Sequence, residues 1–257
     1  MDLQLDGIRA LVTGGSAGIG NETARLLAAE GAAVAIASRN PDAAAAELGA
    51  EPVRADLSTA DGPDEAVAGA VAALGGLDVL VNNVGVTRIT TFEQATDADW
   101  QDAWDANVMS YLRCARAALP DLRASDRASI VNVSSTSGKR PSIGMPHYSV
   151  TKAAVLSLSR LMADSFARDG IRCNAVCPGP SLTPAWLSIG GLADQTAAES
   201  DRSRDEVLQA VGRGRPLGRM AEPAEIAAVI VFLCSPRSSY VTGAAWSADG
   251  GTVPIIL

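Results

Sequence analysis

Lysine is nearly absent from this 257-residue chain: of 21 basic side chains, only Lys139 and Lys152 are lysines. Histidine occurs once, at His147. That excludes sites needing several imidazole ligands and leaves a histidine-dependent triad a single candidate. The four cysteines, Cys114, Cys173, Cys177 and Cys234, contain no C-x-x-C pair. They read as structural thiols of a reducing compartment, and no metal site is expected. Basic residues are outnumbered by 29 acids, for a net charge of −8, and they are scattered, which argues against a nucleic-acid partner. No run of about 18 apolar residues occurs, so no membrane span is expected. The opening Met1-Asp2-Leu3-Gln4-Leu5-Asp6 lacks the basic flank and apolar stretch of a signal peptide, and the expectation is a cytoplasmic protein.

What is present is 47% hydrophobic, arranged as short apolar runs alternating with longer, Ala-rich helical stretches. Strands are expected at 8–12, 32–37, 52–55, 77–81, 129–133, 171–176 and 244–247. Helices are expected from the end of a Gly-rich turn (13–20) to Glu30, from Pro41, over 61–74, over 100–119 ending before Pro120, over 148–168 and over 223–233. Near-continuous apolar strands alternating with helices predict an α/β fold: a doubly wound, Rossmann-type parallel sheet of seven strands with helices on both faces. No linker or repeat interrupts the chain, which reads as a single domain over 1–257. The stretch 183–215 reads as irregular and is too long for an ordinary connection. It leaves the carboxyl end of a strand, where open α/β sheets bind ligands. A substrate lid is the first reading, a partner-binding or merely mobile loop the other.

Thr13-Gly14-Gly15-Ser16-Ala17-Gly18-Ile19-Gly20 joins the first strand to the first helix. Glycines there let a pyrophosphate approach the helix N-terminus, where free N–H groups and the helix dipole hold an anion. The second strand ends in Ser38-Arg39. A dinucleotide site selective for NAD places a carboxylate near this point, whereas one for NADP supplies an arginine. A hydroxyl and a guanidinium favour NADP(H) over NAD(H), the alternative being that Arg39 stacks on adenine or faces solvent.

Tyr148 and Lys152 open a helix four residues apart, and about 400° of rotation sets them on one face. A free phenol, with a pKa of about 10, is a poor base at neutral pH. A neighbouring ammonium favours the phenolate. Ser135 lies thirteen residues before Tyr148.

With these elements the chain resembles the single-domain branch of the short-chain dehydrogenase/reductase family, which combines T-G-x-x-x-G-x-G with a serine thirteen residues before Y-x-x-x-K. Asp56 in Ala55-Asp56-Leu57, the run Asn82-Asn83-Val84-Gly85 (Val where the family usually has Ala), Asn107, Asn174-Ala175-Val176-Cys177-Pro178-Gly179, Thr183, Pro216-Leu217-Gly218-Arg219, Glu222-Pro223 and Asp249-Gly250-Gly251 match in order. The resemblance implies a catalytic set of Asn107, Ser135, Tyr148 and Lys152. It implies a dinucleotide held by Gly14, Ser16, Gly18, Ile19, Gly20, Ser38, Arg39, Asp56, Leu57, Asn83, Gly85, Pro178, Gly179 and Thr183, with Tyr148 and Lys152. It further implies interconversion of a ketone and a secondary alcohol, in which Tyr148 exchanges a proton with the oxygen and Ser135 hydrogen-bonds it. Lys152 would lower the phenol's pKa and bind the nicotinamide ribose, and Asn107 would hold a water linking Lys152 to solvent.

The small-molecule substrate is expected against Ser135, Met145, Tyr148 and Trp186, with Val84, Ile143, Leu187 and Ile189 nearby. These residues favour an apolar or aromatic carbonyl over a sugar. The resemblance extends to 3-oxoacyl-thioester reductases, and Arg140, Arg213 and Arg215 keep that alternative open. A dinucleotide-binding sensor or scaffold without chemistry is the reading from another class. His147 reads as a partly exposed histidine, with substrate contact or tuning of Tyr148 as the other possibility. Family members commonly assemble as tetramers. The apolar tail Val253–Leu257, costly to leave in water, predicts a homotetramer or homodimer.

Overall fold

A computed structural model describes residues 2–255. Seven strands form one parallel sheet: β1 (Arg9–Thr13), β2 (Ala33–Ser38), β3 (Glu51–Arg54), β4 (Val79–Asn82), β5 (Ser129–Val133), β6 (Arg172–Pro178) and β7 (Ala245–Ala248). Their order is β3-β2-β1-β4-β5-β6-β7, the doubly wound arrangement expected from the alternation of elements. Direction reverses between β1, which pairs with β2 on one side, and β4 on the other, with Leu11 opposite both Ala35 and Leu80. Loops leaving the carboxyl ends of β1 and β4 therefore diverge to opposite faces and open a crevice there.

Alternate strand residues feed two cores. Leu11, Ala35, Leu80, Ile130 and Cys173 face one side. There they meet Val67 and Ala70 of α3 (Gly62–Leu74), Ala115 and Leu122 of α5 (Ser110–Ala124) and Met162 of α7 (Pro146–Phe166). Val12, Ile36, Val81, Val131 and Val176 face the other side, against Ala24 and Leu27 of α1 (Gly18–Ala29), Ala45 of α2 (Asp42–Leu48) and Ile230 of α11 (Pro223–Cys234). Two-sided burial is why the strands read as unbroken apolar runs. All four cysteines are buried free thiols, and burial pushes Cys114 and Cys234 up to about 12.

The structure departs from expectation in three places. The helix expected over 100–119 is α4 (Asp97–Trp104), a π-helical turn (Asp105–Met109) and α5, which runs on through Pro120 to Ala124. Pro120 and Arg116, whose carbonyl it leaves unpaired, both lie on the exposed face, where water can take over. The stretch 183–215 is not irregular but carries three short helices, α8 (Pro184–Leu187), α9 (Leu192–Ala198) and α10 (Arg204–Arg213). Ser203 and Glu206 form a reciprocal cap on α10, a signature present in the sequence. His147 is 4% exposed rather than half-open, because Trp100 of α4 packs edge-on to its ring at 6.2 Å. Of the apolar tail, Val253 is buried and Ile255 half-exposed, while Ile256 and Leu257 lie outside the described residues.

At the end of the sheet away from the crevice, Asp78 is 3% exposed. It accepts from the backbone and side chain of Arg9 (2.9, 2.9 and 2.8 Å) and from Ser125 (2.6 Å). Burial pushes its carboxyl up, but the bonds from Arg9 and Ser125 outweigh that and hold it at about 2. Because the folded value lies below the ordinary 3.8, the pair's stabilisation is complete above that value and is lost as pH falls through about 2. Asp78→Asn should therefore lower stability at pH 7 by about 3 kcal/mol and flatten the acid limb of the stability curve. Urea melts at pH 7 and pH 3 check both, and equal losses at the two pH values would contradict the ion-pair account.

Candidate active site

The crevice is a cleft of about 670 Å³. Its floor begins at the turn between β1 and α1, where Gly14 and Gly18 adopt left-handed φ values of +64° and +57°. The N-terminus of α1 has no side-chain cap and no acid in its first turn, so its free N–H groups and dipole remain available to an anion. Gly20 stands behind the wall rather than in it: a Cβ there would lie 2.3 Å from the Gly14 carbonyl oxygen and 2.4 Å from Asn83 Nδ2. Asn83 closes the brace, its Nδ2 donating to the carbonyls of Thr13 and Gly14 (3.2 Å each) and its N–H to Thr13 Oγ1 (3.0 Å).

From there the cleft runs two ways. Toward β2 it is lined by Ser38, Arg39, Asp56 and Leu57. Ser38 lines this end with its Oγ buried and without a hydrogen-bond partner among the described residues. Arg54 fixes the turn beyond it, donating to the Arg39 carbonyl (3.0 Å) and to Asn40 (3.3 Å), and Arg39 itself is exposed over the cleft. The side chain and backbone of Ser58 hold the Asp56 carboxyl below its usual range, and Arg39 adds to this.

Toward β5 and β6 the cleft is lined by Ser16, Ile19, Asn83, Gly85, Ser135, Tyr148, Lys152, Pro178, Gly179 and Thr183. Ser134 and Ser135 are distinguished by their partners. Ser134 Oγ donates to the Lys152 carbonyl (2.7 Å), whereas Ser135 caps the short helix α6 (Thr136–Lys139), its Oγ accepting from Ser137 N–H at 3.1 Å. Tyr148 sits in the first turn of α7, with Lys152 one turn on. Burial pushes the Tyr148 phenol up, and the Ser135 hydroxyl pulls it partly back.

Lys152 Nζ donates to the Val133 carbonyl (2.9 Å) and to Tyr111 OH (3.2 Å) and lies 5.8 Å from the centre of the Tyr148 ring. Burial pushes its ammonium down to about 7. With protein groups alone, burial pushes the phenol up and the ammonium down.

Asn107 lies behind the wall on the π-helical turn. Its Oδ1 accepts from Val86 N–H (2.8 Å), and its Nδ2 donates to the Val86 carbonyl (3.1 Å) and to Thr151 Oγ1 (3.0 Å). It thus ties the chain after β4 to α7 beside Lys152. Tyr111, which the sequence reading passed over, is one helical turn beyond Asn107 and touches Lys152 directly. Its spacing of four from Asn107 was the available signal. Val84, Met145 and Trp186 line the substrate end, while Ile143, Leu187 and Ile189 stand outside the cleft proper. His147, buried under Trp100, does not line it. Arg213 and Arg215 are bound within their own segment, to Gln209 and to the Val211 carbonyl.

A family model described as enoyl-(acyl carrier protein) reductase matches residues 14–253. The chain is 36% identical to a 3-alpha-(or 20-beta)-hydroxysteroid dehydrogenase of Mycobacterium tuberculosis, over 98% of this chain and 92% of the relative. The chain belongs to the short-chain dehydrogenase/reductase family. It is an oxidoreductase of that family, whose cofactor is a nicotinamide dinucleotide. A 3-oxoacyl-acyl-carrier-protein reductase of Thermotoga maritima is 34% identical over 98% of this short-chain dehydrogenase/reductase and the whole of the relative. A solved L-sorbose reductase from Gluconobacter frateurii, complexed with NADPH and L-sorbose, superposes with a TM-score of 0.91 at 34% identity and full coverage of both chains.

Alanine at Gly20 would ordinarily favour a helix, yet here its Cβ collides with backbone. Gly20→Ala should cost at least about 2 kcal/mol, roughly 4–8 °C of Tm, and weaken dinucleotide binding. Gly144→Ala, where nothing lies within 4 Å, should stay within about 0.5 kcal/mol of the parent. Thermal melts and dinucleotide titration of both variants check this, and a Gly20→Ala protein as stable as Gly144→Ala would contradict it.

Proposed function

We propose that this short-chain dehydrogenase/reductase interconverts a ketone and a secondary alcohol with NADP(H), using Tyr148 as the acid/base. The observation that carries the reading is the convergence of Ser135, Tyr148 and Lys152 on one wall of a cleft whose floor is an uncapped helix N-terminus. A dinucleotide held between the glycine turn, Arg39 and Lys152 would supply or accept the hydride when bound. In reduction the phenol, held protonated by burial, donates its proton to the carbonyl oxygen while Ser135 donates a hydrogen bond that stabilises the developing charge. In oxidation the same phenol must first lose its proton, and Lys152 is the cationic group placed to favour that loss. Asn107 keeps the wall beneath Lys152 in place through Val86 and Thr151, and a water on its outer side would complete a path for the proton to solvent.

The preference for NADP(H) rests on the exposed Arg39 guanidinium over this end of the cleft, where β2 ends in Ser38 followed by Arg39 rather than a carboxylate. A guanidinium suits a 2′-phosphate better than a free 2′-hydroxyl. Helices α8 to α10 act as the substrate lid, and Thr183, whose Cγ2 lies 3.3 Å from where a Gly18 Cβ would be, ties its start to the floor. Exposed Trp104, Val150 and Leu161 on one side, with Tyr240, Trp246 and Ile255 on another, supply apolar surface for a homotetramer. Reduction of a 3-oxoacyl thioester is the second reading, favoured by the Thermotoga maritima relative and by the exposed Arg140 near the cleft.

Tyr148→Phe should lose at least about 100-fold in kcat while binding NADPH as before. Steady-state rates with a ketone panel that includes acetoacetyl thioesters, beside NADPH titration, check this, and near-normal turnover would refute the role of the phenol. Arg39→Asp should raise the KM for NADPH at least about tenfold, equivalent to about 1.4 kcal/mol, and leave that for NADH little changed. A parent enzyme that prefers NADH would overturn the cofactor assignment.

A further inference from the structure

Beyond Ser135 and Tyr148 the cleft opens to a mouth formed by three chain segments: 86–91 after β4, 141–145 before α7, and 184–195 from the lid. They are stitched together. Thr90 N–H donates to the Gly144 carbonyl at 3.0 Å, and Thr87 Oγ1 donates to Met145 Sδ at 3.3 Å. The Gln195 carboxamide accepts from Ile89 N–H (3.1 Å) and donates to the Gly190 carbonyl (2.8 Å).

These bonds occupy the Gln195 carboxamide and the Thr87 proton, two groups that would otherwise face a hydroxylated ligand. Both arms of Gln195 are spent on backbone, and Thr87 is turned to a sulfur. The charges near the mouth close on one another: Arg88 pairs with Asp99 at 2.8 Å. Asp194 accepts from Gly190 N–H (2.7 Å) and faces Arg204 at 3.5 Å. What remains on the substrate side is apolar, with Val86, Met145, Trp186 and Leu192 lining the cleft. At the rim, Ile143 and Ile189 are 95% and 97% exposed, so an apolar ligand body lying against them would remove apolar area from water. Ile143 adjoins the Gly144 carbonyl that anchors Thr90, and Ile189 adjoins the Gly190 carbonyl that anchors Gln195, so the same stitches bring both to one rim.

We propose that the substrate is a ketone, or its alcohol, whose body beyond the reacting carbon is bulky and apolar, lying along Met145, Trp186 and Leu192 and covered at the rim by Ile143 and Ile189. This rests on the assignment of Ser135 and Tyr148 as the carbonyl-binding pair. A polyhydroxylated body lying along Val86, Met145, Trp186 and Leu192 would lose hydration there with few partners for its hydroxyls.

The test compares kcat/KM, with saturating NADPH and again with NADH, for cyclohexanone, 2-decalone and a ketohexose. The expected result is at least a tenfold rise from cyclohexanone to 2-decalone, with the ketohexose lowest. Ile143→Asn and Ile189→Asn, both fully surface positions, should each lower the ratio of 2-decalone to cyclohexanone kcat/KM at least threefold. Preference for the ketohexose, or a ratio unchanged in both variants, would overturn the apolar-body assignment while leaving the chemistry at Tyr148 intact. Turnover of none of the three with either dinucleotide would overturn both.

Discussion

An ammonium with no carboxylate partner among the described residues sits at the centre of this structure. Lys152 is 2% exposed, and its protein partners are one carbonyl, Val133, and one hydroxyl, Tyr111. Holding a cation under those conditions costs several kcal/mol unless it sheds its proton or gains an anionic neighbour, which is why its pKa falls to about 7. The site is thereby poised. The groups that would relieve the lysine are a phenolate on Tyr148, one helical turn away, and the hydroxyls of a ligand lying in the cleft. The phenol is itself held protonated by burial, so a ligand's charge beside the pair would shift the balance of both groups.

The surrounding fold supplies rigidity to that pair from three directions. The end of β5 provides the Val133 carbonyl, α5 provides Tyr111, and the π-helical turn provides Asn107, which grips the segment after β4 and Thr151 of α7 together. Strand β5, α5 and α7 are anchored in the same core face of the sheet, through Ile130, Ala115 and Met162, and the π-helical turn packs through Val108 against Tyr111 and Val155. The dinucleotide half of the cleft depends on the reversal of sheet order at β1 and β4. That reversal parts two loops, and Asn83 then bridges them by hydrogen-bonding the glycine turn. Missing side chains matter here as much as present ones, since a methyl group at Gly20 would occupy the space of the bridge.

The segment carrying α8 to α10, the proposed substrate lid, divides its side chains between two uses. Trp186 and Leu192 line the cleft, whereas Gln195 fastens the segment to the chain after β4 and Asp194 is bound within the segment itself. A surface that spends its hydrogen-bonding capacity on itself leaves shape and apolar area as its means of selecting a ligand.

The sequence by itself determined the sheet, its two covered faces, the glycine turn and the residues Ser135, Tyr148 and Lys152. Apolar runs at strand length, glycines between strand and helix, and a tyrosine–lysine spacing of one turn are local signals that survive without coordinates. Tertiary structure alone decided the rest. A helix expected to stop at Pro120 continues because its freed carbonyl faces water. His147 is buried because α4, about 45 residues earlier in the chain, lays Trp100 across it. The lysine and phenol lean toward neutrality because elements distant in sequence exclude water from both. Burial, desolvation and the sharing of hydrogen bonds are properties of packed surfaces, and no window along the chain encodes which surface will arrive.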